Sequence, residues 1–164
     1  MNRLNIGLKM IRPEKKFKDK IDSIVQENIP YESKLSTYKE DTNESFDLIY
    51  SLKGLCVSVR IRKYTYFIQH KDFTIRSRSR KGDYCELDKL VDGKSDWYFY
   101  GWENKDRTDL IGWILIDIND IRHDLLKRKK RNAIPNVDGT YFISFTIDEL
   151  EKDYNALIDC SNNI

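Results

Sequence analysis

The chain has 164 residues, with 29 Lys and Arg against 27 Asp and Glu, for a net charge of +2. That is the length of one ordinary domain, enough to bury roughly two-thirds of the unfolded surface without staples. Hydrophobic residues are 40% and charged residues 34% of the chain, so it has the means for both a core and a charged coat. A net charge this small excludes polyanion binding by bulk field alone, so any such binding must rest on how the charges are distributed.

Cys56, Cys85 and Cys160 are far apart, and His70 and His123 are isolated. This excludes the paired spacing of a structural zinc site, and free thiols suit a reducing compartment. Residues 1–10 lack the apolar run of a signal peptide. No stretch approaches the roughly 18 apolar residues of a membrane span. The expectation is a cytoplasmic protein without membrane association.

Residues 14–27 place Phe17, Ile21, Ile24 and Val25 at helical spacing and predict an amphipathic helix. Residues 28–44 read as irregular and polar. Two β-rich runs, near 45–51 and 55–68, flank Lys53-Gly54 and predict a hairpin. A third strand over 72–80 would complete a meander. Residues 85–93 predict a short helix with Leu87 and Leu90 on one side and Gly93 as its stop. The runs 95–102 and 110–118 are continuously apolar, as strands buried on both faces are. A helix over 119–131 turns Ile121 and Leu125 inward and ends in basic residues, which suits its dipole. A turn, a strand at YFISFTI and a last helix over DELEKDYNALI close the chain. The order is α-β-β-β-α-β followed by β-α-β-α: a mixed sheet with helices packed on it.

Alternate side chains of a strand share a face. Within CVSVRIR, Val57, Val59 and Ile61 point one way and Ser58, Arg60 and Arg62 the other. A tight turn at Lys53-Gly54 would put Asp47 on the same face as Ser58 and Arg60. Basic charge is clustered at Arg60, Arg62 and Lys63, at Arg76, Arg78, Arg80 and Lys81, and at Lys127–Arg131.

An Asp on one hairpin strand followed by (D/E)-x-K on the next resembles the PD-(D/E)xK, restriction-endonuclease-like nuclease superfamily. Here Asp47 fills the first slot, and Ser58-Val59-Arg60 stands where (D/E)-x-K belongs. The run from Phe73 to Glu103, with Cys85-Glu86-Leu87-Asp88-Lys89 and Tyr100-Gly101, is similar to bacterial and phage members, and the likeness spans about residues 38–122. It implies an α/β αβββαβ core over about 14–122, with 123–164 as a C-terminal extension of one domain. It also implies a hydrolase acting on DNA with Mg²⁺ or Mn²⁺ held by Asp47 and by Glu40 or Asp41. Glu86 and Lys89, on the helix after the site strands, join Ser58 and Arg60 as candidate catalytic residues. The family allows RNA in place of DNA, and a homodimer.

Ser is a poor Mg²⁺ ligand, and Arg does not give up its proton as Lys does. The same residues therefore also suit a nuclease fold that binds nucleic acid without cutting it. A third reading is an accessory protein of a phage or mobile element that docks on a partner protein through its acidic stretches 32–47 and 149–153. Each feature also has a plainer reading. Glu86 and Lys89 are an ordinary i,i+3 surface pair, and Arg76, Arg78 and Arg80 protect an edge strand from aggregation. Otherwise, with Arg62, they hold a phosphate backbone. Trp97, Tyr98, Phe99, Tyr100 and Trp102 suit base stacking, but at strand spacing they suit a core better.

Overall fold

The computed structural model describes residues 13–28, 33–35, 48–50 and 56–164. Helices α1 (Pro13–Lys16) and α2 (Lys18–Asn28) open it. Proline suits a first helical turn, where its missing N–H costs no hydrogen bond. Phe17, Ile21, Ile24 and Val25 are buried, as their spacing predicts.

Two sheets follow. The larger has six strands in the order β1 (Ser33–Leu35), β2 (Leu48–Tyr50), β3 (Cys56–Arg62), β5 (Trp97–Glu103), β6 (Leu110–Asp117), β9 (Leu157–Cys160). Its pairs are antiparallel except β3 with β5, which run parallel with Ser58 beside Tyr98 and Arg60 beside Tyr100. The smaller sheet is antiparallel, in the order β4 (Asp72–Arg78), β8 (Tyr141–Thr146), β7 (Ile134–Pro135). Helices α3 (Tyr64–Gln69), α4 (Glu86–Val91) and α5 (Ile118–Asn132) lie between strands. No helix among the described residues is long and apolar enough to cross a membrane.

The alternation of β3 sorts the core into two. Val57, Val59 and Ile61 join Phe99, Leu115 and the apolar stripe of α2 in one cluster. On the other side Tyr98, Tyr100, Trp102, Ile114 and Ile116 pack with Phe73, Ile75, Ile143 and Phe145 of the smaller sheet, and with α4 and α5. Phe73 meets Tyr98 and Tyr100 edge to face at 5.1 and 5.3 Å. Each fully buried aliphatic or aromatic side chain contributes about 1.5–3 kcal/mol, so these faces set where the polar residues between the sheets must sit. β5 supplies both clusters, as its unbroken apolar run predicts.

Four expectations need correction. Residues 33–35 form a strand where an irregular stretch was expected. Residues 64–69 are helical, ending β3 at Arg62, because Phe67 turns in to meet Trp102 at 5.8 Å. β4 does not extend a meander with β3; it pairs with β8 in the other sheet. Residues 148–158 hold only a π-helical turn, Glu149–Asp153, before β9 pairs with the exposed edge of β6. The pairing of β2 with β3 agrees with the expected hairpin, whose turn at Lys53-Gly54 lies outside the described residues.

Gly112 in β6 marks the closest approach. A Cβ there would stand 2.6 Å from the Phe67 ring and 3.0 Å from Ile164. Gly112→Ala should therefore cost about 1–3 kcal/mol by overpacking, read as a lower urea midpoint. An unchanged midpoint would show that α3 is not seated on β6.

Candidate functional site

Short helix α4 begins with a reciprocal cap. The Cys85 backbone N–H donates to Asp88 Oδ2 at 2.9 Å, and the Cys85 thiol donates to the same oxygen at 3.0 Å. Lys129 of α5 donates to the other Asp88 oxygen at 3.1 Å. Burial alone would raise the Asp88 pKa, but these donors bring it below the ordinary carboxylate range. The cap fixes α4 so that Glu86, in its first turn, points between the two sheets.

Glu86 is where the sheets meet. Its Oε2 accepts Arg60 Nη2 of β3 at 2.6 Å and the Arg76 backbone N–H of β4 at 2.8 Å. Its Oε1 accepts the hydroxyl of Tyr98 on β5. Three donors from three strands thus occupy one carboxylate. Burial works against the Arg60 charge, but Glu86, with the Tyr98 and Tyr100 phenols, outweighs it and holds the guanidinium pKa above its ordinary value.

Around this pair lies a cleft of about 330 Å³ with mostly polar walls, lined among others by Arg60, Arg76, Lys89, Glu86, Glu14 and Tyr84. Three cations face two carboxylates there, and Glu86 is already committed to Arg60. Lys89 is buried, and desolvation lowers its pKa against the opposing pull of Glu86 and Cys85. The arrangement suits an incoming anion with several oxygens, which would take donors from Arg76 and Lys89 while Glu86 keeps Arg60 in place.

The structure thus brings Arg60, Glu86, Lys89 and Arg76 together. Ser58 faces the same side of β3 but is 1% exposed, and its backbone N–H donates to Ser95 Oγ at 3.1 Å. Arg62 lies one alternation further along, outside the cleft. It donates from Nε to Tyr100 Oη and from Nη2 to Thr74 Oγ1, both at 2.8 Å. The arginine row of β4 divides at a bulge between Arg76 and Arg78. Arg78 lies over the Tyr141 ring at 5.6 Å, and Arg80 donates to the Asp138 carbonyl. Glu40, Asp41 and Asp47 lie outside the described residues.

Of the aromatic run, Tyr98, Phe99, Tyr100 and Trp102 are core residues at 0–2% exposure. Tyr98 as a Glu86 partner was not legible in sequence. Its alternation was, but the parallel register setting it beside Ser58 was not. Mg²⁺ wants six oxygen ligands, some of them carboxylate. Among the described residues no three His, Cys, Asp or Glu side chains converge on a metal position. Ser58 is enclosed and the Glu86 carboxylate is engaged by three donors, while the expected ligands Glu40, Asp41 and Asp47 lie outside the described residues.

Removing Glu86 strands the Arg60 charge. Glu86→Ala should destabilise the fold by about 3 kcal/mol, and replacing both partners by Met and Leu should recover most of it; urea unfolding of the three variants checks this. The depressed Asp88 pKa has its own signature. Its folded value lies below the unfolded one of about 3.9, so its contribution is present above pH 4 and is lost as pH falls through the folded value. Asp88→Asn should flatten the acid limb of stability against pH; an unchanged limb would show that the cap contributes nothing.

No model of a known protein family matches the chain, and no curated protein sequence matches it.

Proposed function

We propose that the chain binds nucleic acid, DNA foremost, by seating a backbone phosphate in the Arg60–Arg76–Lys89 cleft, on a nuclease-like core that does not cleave at 58–60. The observation that carries this reading is the state of Glu86. With its carboxylate taken by Arg60, the Arg76 N–H and Tyr98, it organises cations rather than coordinating one. Arg suits such a role, since its fork pairs with phosphate and carboxylate oxygens together and its charge survives burial.

The wider assignment to the restriction-endonuclease-like fold draws support from the larger sheet. A helix precedes the antiparallel strands β1, β2 and β3, and then α4 leads into β5, parallel to β3. With α3 and β4, which lie between β3 and α4 in the chain, set aside, this succession is compatible with the αβββαβ order, β1 taking the place expected of β4. The Ser-Val-Arg of β3 separates that architecture from its usual chemistry, because a fold does not fix an activity.

Binding to a fluorescein-labelled DNA should fall steeply with salt. Arg76→Ala should weaken it and lower the slope of log K against log [salt] by about one. Plasmid nicking in Mg²⁺ or Mn²⁺ should stay at background and be unchanged in Asp47→Ala. Absence of salt-dependent binding overturns the proposal, and metal-dependent nicking that Asp47→Ala abolishes assigns the site to hydrolysis instead.

A further inference from the structure

A second cavity, of about 400 Å³, opens between the same two strands, β3 and β4, on the far side of Arg62. That size is within the roughly 300–1,000 Å³ of ligand pockets. Successive residues along one face of each strand line the two cavities. Arg60 and Arg76 line the first; Arg62 and Thr74 line the second. Two strand residues rise about 7 Å, so the cavities are close neighbours along one line.

Their chemistry differs. The first is polar and cationic, whereas the second is walled mostly by apolar surface from Tyr66, Phe142 and Ile134. Tyr66 and Ile134 are 43% and 44% exposed, and both sit at this cavity. Arg62 is not available there as a mobile cation. Thr74 and Tyr100, themselves joined at 2.8 Å, hold its Nη2 and Nε. Its guanidinium lies 4.6 Å from the centre of the Tyr66 ring. With the guanidinium over one face of this accessible ring, the outer side of the fixed pair is a stacking platform for a flat heteroaromatic group. The Asp72 carboxylate, half-buried at the same cavity, takes a hydrogen bond from the Ser144 hydroxyl. A carboxylate retains lone pairs after one such bond, and it accepts from the exocyclic amino group of a base.

We propose that this cavity receives a base of single-stranded nucleic acid, stacked at Tyr66 and Arg62, whose neighbouring phosphate lies in the Arg60–Arg76–Lys89 cleft. This rests on the phosphate-binding reading and extends it. The ligand is an unpaired strand, and the base is one with an amino group. A duplex keeps its bases stacked inside and has none to offer the cavity.

The test is fluorescence anisotropy with labelled oligo-dC, oligo-dT and a duplex of equal length. Wild type should bind oligo-dC more tightly than the duplex and more tightly than oligo-dT. Tyr66→Ala should weaken oligo-dC binding about tenfold, while Tyr66→Phe, which keeps the ring, should not. Asp72→Asn should bring oligo-dC and oligo-dT together. Because Tyr66 is well exposed, its variants should fold, and unchanged circular dichroism checks that. Salt-dependent binding that is equal for all three nucleic acids and indifferent to Tyr66→Ala overturns the base site and leaves the phosphate cleft standing. If no nucleic acid binds at low salt, both fall.

Discussion

The carboxylate of Glu86 is the charged interaction that ties the two sheets together at the cleft. The larger sheet reaches it from Arg60 and Tyr98, the smaller from the Arg76 backbone. Charged side chains between two sheets are costly unless paired and hydrogen-bonded. One acid with three donors meets that condition for itself and for Arg60. The geometry therefore couples fold and site: whatever moves α4 moves Glu86, and Arg60 moves with it. The α4 cap at Cys85 and Asp88, and its tether to Lys129, belong to the site in this sense although they lie outside the cleft.

This pairing also decides what the cleft can hold. A deep cation with no partner would lower its own charge or draw water; Arg60 does neither, since Glu86 sustains it. Arg76 and Lys89 line the same cleft with Glu14 and Glu86 as its acids. Burial lowers the Lys89 pKa against the pull of Glu86, and an anion arriving in the cleft would favour its charged form further. Arg62 shows the opposite economy. Two neutral hydroxyls and an aromatic ring position it, and its role is geometric more than electrostatic.

Much of this was readable from residues alone, for stated reasons. The alternation in CVSVRIR separates the two faces of β3, because strand periodicity is strict and both neighbours of that strand are packed. The continuous apolar runs of β5 and β6 announce strands covered on both sides. Alternation cannot name a strand's partner, however: β4 reads as part of a meander but pairs with β8 in the second sheet. The aromatic run Tyr64–Ile68 has strand-like composition, but the burial of Phe67 against Trp102 selects a helix. Residues 148–158 have helical composition, and tertiary demand overrides it: β6 has an open edge, and β9 fills it.

The Ser-Val-Arg of β3 suits the place where those residues lie. Ser58 is 1% exposed and stands beside Tyr98 in the register of β3 and β5. An ionised Asp or Glu at that depth needs a cation or several donors to offset desolvation. The nearest cation on its own strand, Arg60, is already balanced by Glu86. A small neutral residue at 58 is thus the natural companion of an acid at 86, which sits at the start of the following helix. There Glu86 faces Arg60 and holds its guanidinium in the cleft beside Arg76 and Lys89.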